Sequence, residues 1–374
     1  MTKLPRLHSI DMLRGFVIAL MALDHVRDFF GPTPFNPEDL AATTPAWFWT
    51  RWITHLCATV FVLLAGSSAY LRGQGSGVPS LSRYLATRGA MLLVLEMTWI
   101  SFSWQFGYNV VIMQVLWALG AGMLILSLLV WLPRPVIGLL AVLLIVPHNL
   151  LDGWQPGGLL WQAWHQGGFY PLGLGVEGIV FMYPIMPWVG LIAAGYAIGP
   201  VFQWEPARRE RFLLGAAAIL LVAFAVLRGF NLYGDPNPWS PQGRGLMVDI
   251  MSLARVSKYP PSLLYLCVTG AIGLLLLVLF ERIRTSRILL AFGRDPLFFY
   301  VIHIALIHFL GNLYFVLRFG NGPDFSGGKV SWPDGYVPSL PIVYLAWAAV
   351  LAIMYGLTVL WQRRTRTAGA PAVR

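Results

Sequence analysis

Apolar runs of bilayer length dominate this chain and restrict it to a membrane-spanning fold. A helix rises about 1.5 Å per residue, so roughly 20 apolar residues cross the ~30 Å core of a bilayer. Charged residues make up 11% of the chain, against about 25% in soluble domains. We therefore predict an all-α polytopic membrane protein with about ten transmembrane helices. The predicted spans are 10–30, 52–71, 85–104, 109–131, 135–151, 178–201, 212–231, 262–280, 297–317 and 340–361.

The positions of Lys and Arg predict how these spans are oriented. Alternate loops place 18 of the 26 basic residues on one side of the membrane and 8 on the other. Because basic residues accumulate in cytoplasmic loops, both termini are expected in the cytoplasm, with 362–374 as a basic tail. The net charge of +10 follows from this distribution and does not indicate nucleic-acid binding. We predict a single transmembrane domain over 1–374.

The cysteines and the known catalytic motifs exclude several kinds of site. Cys57 and Cys267 are the only cysteines and both fall in apolar spans, so we expect core packing rather than a disulfide. No Cys/His spacing typical of zinc is present, and we expect no metal. Phosphate-binding loops, serine-hydrolase elbows and zinc-protease motifs are also missing in a credible context. Arg14 interrupts the first apolar run, so we expect this helix to be retained rather than cleaved as a signal peptide.

The first span, Ser9–Phe30, carries charged residues near both ends, and such charges need a reason. Arg14 and His25 are 11 residues apart, and three helical turns take about 10.8 residues. Both side chains therefore lie on one face, at opposite ends of the span. This face could hold a ligand that runs through the membrane. Alternatively, Arg14 is a cytoplasmic anchor and His25 a packed residue at the helix end.

Two further residues could act with His25. His55 follows in the first turn of the second span at a similar depth, and a histidine can serve as a general base near neutral pH. It is otherwise a buried, satisfied histidine. Asp24 could position the histidine or the acceptor, but adjacent helical side chains diverge by about 100°. We therefore expect Asp24 to pair with Arg27, with Arg51 or with another helix.

Other polar residues fall inside or beside the spans. Glu96 lies near the middle of the third span and needs a partner or a cavity, which His303 or His308 could supply. These two histidines are five residues apart and point to different faces. Structural and catalytic roles are both open for all three residues. Four arginines could bind phosphates at the cytoplasmic side or could simply anchor the chain there. They are Arg14, Arg83, Arg88 and Arg294.

Four predicted external loops are long, and loops above about 12–15 residues are usually functional or disordered. They are Gly31–Thr50, Asp152–Gly175, Tyr233–Tyr259 and Arg318–Ser339. The second of them has no Lys or Arg but contains Trp154, Trp161 and Trp164. These tryptophans either stack on a sugar or form an ordinary interfacial belt. The loops suggest that the acceptor side is outside.

Five stretches of the chain are distinctive as a set. They are RLHSIDMLRGFVIALMALDHVRDFF, RWITHLCATVFVLLAGSSAYL, MYPIMPWVGLIAAGYAIG, SKYPPSLLYL and FGRDPLFFYVIHIALIH. Together they resemble the bacterial members of the heparan-alpha-glucosaminide N-acetyltransferase catalytic-domain family. The resemblance runs from about residue 6 to the last helix. It extends to the wider group of transmembrane sugar acyltransferases, in which a first helix of the type LRG…H ends in a histidine needed for acyl transfer.

This resemblance implies an acyltransferase that takes acetyl-CoA or another acyl-CoA from the cytoplasm. The acyl group would pass to a hydroxyl or amine of an external saccharide or glycolipid. His25 would be the base or the acyl acceptor, and the cytoplasmic arginines would hold the CoA phosphates. The implied location is the bacterial inner membrane, with membrane lipids as partners. The oligomeric state is open, with a homodimer among the alternatives.

The chain departs from the lysosomal members of the family at the histidine. In those enzymes the histidine held to be catalytic lies in the loop after the first helix, and an Asn stands in the place of His25. Here that loop, Gly31–Thr50, contains Asn36 and no histidine. The lysosomal mechanism therefore does not transfer residue by residue, and the acceptor is expected to differ from heparan sulfate.

Two other hypotheses remain open at the level of sequence. A proton-coupled transporter or flippase would use Glu96, His303 and His308 as a proton relay, and predicts broken helices and an inverted repeat. A non-catalytic membrane scaffold would reduce the histidines to packing residues.

Overall fold

The computed structural model describes residues 7–173, 175–322 and 332–367. In chain order the helices are α1 His8–Phe30, α2 Pro45–Trp52, α3 Leu56–Gly73, α4 Gly77–Leu95, α5 Ser101–Gln105, α6 Val115–Leu129, α7 Arg134–Ile145, α8 Leu159–Trp161, α9 Ile185–Ala197, α10 Pro206–Gly229, α11 Leu246–Ala254, α12 Leu263–Arg282, α13 Arg287–Arg294, α14 Pro296–Phe319 and α15 Leu340–Thr367. The strands are β1 Val110–Met113, β2 Gly168–Pro171 and β3 Gly178–Phe181.

Within the described residues, seven helical segments are long and apolar enough to cross a membrane. They are Pro45–Gly73, Gly77–Gln105, Ile185–Gln203, Pro206–Gly229, Leu263–Arg282, Pro296–Phe319 and Leu340–Thr365. The apolar helices α6 and α7 are shorter, and α1 is 23 residues long but carries more charge. A helix therefore covers most of each of the ten predicted spans. The all-α, multi-pass fold is confirmed, whereas ten crossings and cytoplasmic termini stay predictions.

The predicted starts of the fourth and sixth spans were wrong, because their first residues form strands. β1 pairs in parallel with β3, with Val110 opposite Gly178, and β2 pairs antiparallel with β3. The runs VVIM and GIVF are rich in β-branched residues, which favour strands over helices. The helices begin only at Val115 and Ile185.

By proximity of its residues the chain forms two compact units. We call Ala58–Arg282 the middle unit, and Leu7–Cys57 with Ile283–Arg374 the terminal unit. The prediction of one domain over 1–374 stays a prediction. Four basic residues used to orient the spans lie outside the described residues, as does most of the predicted basic tail. They are Lys3, Arg6, Lys329 and Arg374.

In the terminal unit α1 packs against α13, α14 and α15. The contact with α13 depends on two glycines. A Cβ added to Gly15 would lie 2.0 Å from the Leu289 carbonyl oxygen, and one on Gly293 would lie 1.7 Å from that of Asp11. Small residues let helix backbones approach closely in membranes, where packing drives association. These glycines fix α1 against the segment that carries Arg294.

In the middle unit, glycines also allow α3 and α9 to pack closely. Added Cβ atoms at Gly66 and Gly195 would lie 2.0 and 2.1 Å from carbonyl oxygens of the facing helix. Ser67 Oγ donates a hydrogen bond to the Gly195 carbonyl at 3.0 Å. Close backbone approach and one hydrogen bond thus hold these two helices together.

We expect Gly293→Ala to destabilise the protein, because its methyl group would overlap the Asp11 carbonyl. Overpacking typically costs about 1–3 kcal/mol. Thermal unfolding in detergent, followed by the elution of intact protein, measures the loss. The control is Gly356→Ala in α15, where an added Cβ meets nothing within 4 Å and Ala is the better helix former. Equal unfolding temperatures for the two variants would contradict the proposed α1–α13 contact.

Candidate active site

A buried ionic network surrounds Asp24 near the C-terminal end of α1. Arg51 Nη1 donates to both Asp24 carboxylate oxygens at 2.8 and 2.6 Å. Arg27, one turn further along α1, places its Nη1 3.1 Å from Asp24 Oδ1. Arg27 also donates to Asp28 at 2.6 Å. The prediction that Asp24 pairs with Arg27 or Arg51 is confirmed.

This network fixes the short helix α2 against α1. Arg51 lies at the end of α2, and Thr54 Oγ1 donates back to the Arg51 carbonyl at 2.7 Å. The Asp24 carboxylate contacts two guanidinium groups and so ties α2 to α1; its role in positioning the histidine or the acceptor stays a prediction. A paired carboxylate also explains how two arginines are accommodated in a buried position.

His25 lies beside His303 of α14. Their ring centroids are 5.3 Å apart and the planes are tilted by 43°. His303 is completely buried and His25 is nearly so. The sequence predicted both residues separately but not their contact, since no spacing relates α1 to a helix so distant in the chain.

The hydrogen bonds of His303 define its tautomer. Its Nδ1 lies 2.7 Å from the Tyr300 carbonyl oxygen and 3.1 Å from that of Phe299. A carbonyl only accepts, so Nδ1 carries the proton, and in the neutral ring Nε2 keeps a lone pair. This Nε2 is buried and has no hydrogen-bond partner in the part of the chain that the structure describes.

His55 lies close to a carboxylate from the loop that follows α1. Its Nε2 is 2.9 Å from Glu38 Oε1, and Arg51 Nε is 3.9 Å from Glu38 Oε2. Glu38 therefore connects His55 to the network around Asp24. A carboxylate can fix the tautomer of a histidine. The contact between Glu38 and His55 was not predicted, because loop residues carry no periodicity that reveals their partners.

His308 contacts α1 one and a half turns beyond His303. Its ring stacks on Phe29 with centroids 4.5 Å apart and an interplanar angle of 26°. In the same part of α14, a Cβ on Gly311 would lie 2.8 Å from the Phe29 carbonyl oxygen. Both residues keep α1 and α14 in register.

The predicted phosphate-binding arginines belong to different units. Arg14 lies 3.6 Å from the buried carboxylate of Asp11, and Gly293, next to Arg294, packs on the backbone of Asp11. The segments carrying Arg14 and Arg294 thus meet in the terminal unit. The other two, Arg83 and Arg88, lie on α4 of the middle unit.

Glu96 has a structural partner within the middle unit. Its Oε1 accepts a hydrogen bond from the Gln114 backbone N–H at 2.6 Å. Gln114 is the residue before α6, and the first N–H groups of a helix lack intrahelical partners. A carboxylate at this end is also favoured by the helix dipole. Glu96 therefore caps a helix that starts inside the apolar part of the chain.

The loop after α7 carries an aromatic and polar cluster. Trp154 and Trp161 form an edge-to-face pair at 4.5 Å, and Trp161 lies 5.2 Å from the ring of His165. His165 Nε2 is 3.2 Å from Asp152 Oδ1. Burial raises the pKa of Asp152, but the hydrogen bonds from His165 and Asn149 outweigh it and lower the pKa overall. A cavity of about 520 Å³ is lined by Gly157–Trp161 and Trp164.

Across the described residues, no group of three or more His, Cys, Asp or Glu side chains could hold a metal ion.

We expect Asp24→Asn to destabilise the terminal unit strongly. The change leaves Arg27 and Arg51 buried without their shared carboxylate, and removing one partner of a buried pair costs about 3–5 kcal/mol. Thermal unfolding measures this loss. Asp39→Asn is the control, because Asp39 is exposed and its carboxylate accepts from the Ala41 backbone in the same loop. Similar unfolding temperatures for both variants would show that the network contributes little.

Comparison with protein families supports the resemblance noted in the sequence. The family model for heparan-alpha-glucosaminide N-acetyltransferase, catalytic, matches residues 6–229. A comparison with curated proteins finds no match. The match includes α1 and most of the middle unit and ends before α11. Since it covers more than half of the 374 residues, the chain belongs to the heparan-alpha-glucosaminide N-acetyltransferase catalytic family of transmembrane acetyltransferases.

Proposed function

We propose that this protein transfers the acetyl group of cytoplasmic acetyl-CoA to a saccharide on the opposite side of the bacterial inner membrane. Membership of a transmembrane acetyltransferase family supports the reaction class. The observation that carries the choice of site is the buried imidazole pair of His25 and His303, 5.3 Å apart. A neutral imidazole can act as a general base near neutral pH, and a neighbouring group can fix its orientation.

His25 acts as the general base in this proposal. It takes the proton from the acceptor hydroxyl or amine as that atom attacks the thioester carbonyl carbon. The C–S bond breaks and the acetyl group stays on the acceptor. The thiolate of CoA leaves and receives the proton from His25, which returns the base to its neutral form. A covalent variant, in which His25 first carries the acetyl group, uses the same nucleophilic nitrogen.

The donor side is proposed at the α1–α13 contact. Arg14 and Arg294 belong to segments that meet there through Gly15 and Gly293. Guanidinium groups bind phosphates in bidentate fashion, so these two can hold the phosphates of acetyl-CoA. Arg14 and His25 lie on one face of α1, about 16 Å apart along its axis at 1.5 Å per residue. An extended donor lying along α1 would bridge that distance.

The acceptor is proposed to be a neutral or amino sugar of the cell envelope. The loop Asp152–Gly175 supports this class, because it offers the Trp154–Trp161 pair and contains no Lys or Arg. Aromatic faces stack on sugar rings, and a loop without cations is poorly suited to a sulfated polyanion such as heparan sulfate.

The transporter hypothesis loses one of its supports in the structure. Glu96 caps α6 through the Gln114 N–H at 2.6 Å, so a proton relay is not needed to explain this carboxylate. His303 likewise belongs with His25 in the terminal unit. The acetyltransferase gives the histidine pair a chemical role, whereas the scaffold hypothesis treats both histidines as packing residues.

We expect His25→Asn to abolish acetyl transfer while leaving the fold intact. Removing a general base typically lowers the rate about 10²–10⁴-fold. Release of CoA thiol from acetyl-CoA in the presence of glucosamine measures transfer, and thermal unfolding checks the fold. The protein's own thiols, Cys57 and Cys267, are buried. The control is His8→Asn, at the start of α1 and exposed. Transfer at the wild-type rate by His25→Asn would exclude this residue as the base.

We expect Arg14→Ala to weaken acetyl-CoA binding, because it removes one of two cations proposed to hold the phosphates. Calorimetry on detergent-purified protein measures the affinity for acetyl-CoA and for free CoA. A charge-assisted hydrogen bond contributes about 1.5–3 kcal/mol, or roughly 10- to 150-fold in Kd. Arg318→Ala is the control, since this exposed arginine stands at the other end of a spanning helix. Unchanged affinity in Arg14→Ala would remove the proposed donor site.

A further inference from the structure

One member of the imidazole pair, His303, lies outside the residues that the family model matches. His303 lies on α14, outside residues 6–229, so nothing in the match assigns it a role. It is fully buried, and its Nδ1–H is directed at two carbonyl oxygens of its own helix. The only ring nitrogen left for another partner is Nε2, which accepts rather than donates in the neutral ring.

Carboxylates often orient a functional histidine, and two carboxylates in this part of the terminal unit contact other residues. Asp24 accepts from Arg51 and lies next to Arg27. Glu38 lies 2.9 Å from His55. The group placed against the His25 ring is His303, at a centroid distance of 5.3 Å. Two imidazoles joined by an N–H···N hydrogen bond have their centroids at about this separation, given a nitrogen–nitrogen distance near 3 Å.

The packing of α1 on α14 holds this pair in register. Phe29 is sandwiched between the His308 ring at 4.5 Å and the backbone at Gly311. Phe30 and Tyr314 continue the contact at 5.6 Å. A shift of either helix would break several contacts at once, so the two rings are held where a hydrogen bond can form.

We propose that His303 is a positioning residue for His25. In the complex with substrates, the lone pair on His303 Nε2 accepts the N–H of His25. The other nitrogen of His25 is then unprotonated and directed at the acceptor. Catalytic hydrogen bonds are often long before substrate binds and tighten in the reacting complex. The role parallels that of a carboxylate in a catalytic triad, with a neutral acceptor in its place. This inference rests on the proposed function.

Two substitutions of His303 distinguish the contribution of Nδ1 from that of Nε2. The amide nitrogen of Asn can replace Nδ1 but offers nothing at Nε2, whereas the side-chain oxygen of Gln reaches the position of Nε2. We expect His303→Asn to lower kcat by roughly 10- to 100-fold, as for other partners that orient functional imidazoles. KM for acetyl-CoA and for glucosamine should not change. His303→Gln should retain most of the activity.

The control is His8→Asn, which should leave kcat at the wild-type value because this histidine is exposed and lies at the opposite end of α1 from His25. All variants are assayed by CoA thiol release with glucosamine, alongside acetyl-CoA affinity and thermal unfolding. Equal loss of kcat in His303→Asn and His303→Gln would overturn the proposal, as would a change in KM alone.

Three further outcomes are decisive. If His303→Asn does not fold, His303→Gln decides the question. In that case kcat within about tenfold of the wild type supports the acceptor role, and a loss as large as in His25→Asn overturns it. Absence of transfer by the wild type would instead overturn the proposed function. Wild-type transfer together with fully active His303 variants would overturn only the role of His303.

Discussion

The ionic cluster around Asp24 is the constraint on which the terminal unit depends. Charged groups in a buried position are stable only when each finds a partner. One carboxylate between Arg27 and Arg51 satisfies both guanidinium groups and ties α2 to α1. The loop after α1 must then return towards the same end of the helix, which brings Glu38 to His55. His25 is held at this end of α1, although it takes no part in the ion pairs described.

Asp24 and His25 are neighbours in the sequence but contact different parts of the protein. Adjacent side chains point about 100° apart around the helix axis. Asp24 faces α2 and the arginines, whereas His25 faces α14 and His303. The angular argument could be made from the sequence, and it correctly directed Asp24 away from the histidine. The partner of His25 could not be predicted from the sequence. Periodicity describes one helix and contains no information about which distant helix packs against it.

The structural role of Glu96 was missed because the predicted start of the fourth span was wrong by a few residues. If a helix ran through residues 109–131, the Gln114 N–H would be bonded within that helix. Because Val110–Met113 is a strand and α6 starts at Val115, this N–H has no intrahelical partner. Glu96 then supplies the missing acceptor. The apolar run alone does not distinguish a buried strand from the first turn of a spanning helix, so the carboxylate looked like a candidate for proton transfer.

The close packing of α1 has a consequence for the chemistry at His25. Gly15 and Gly293 allow α13 to touch the α1 backbone, while His308 and Gly311 hold α14 against Phe29. A helix clamped at both ends keeps its side chains within narrow limits, and reactions between positioned groups depend on such limits. In the proposed reaction the general base lies on this helix rather than on a mobile loop, so its position is set before the substrates bind. The glycines and the stacked Phe29 hold α1 in place. In the proposed reaction this packing, together with the tautomer of His303, would present one nitrogen of His25 in one direction.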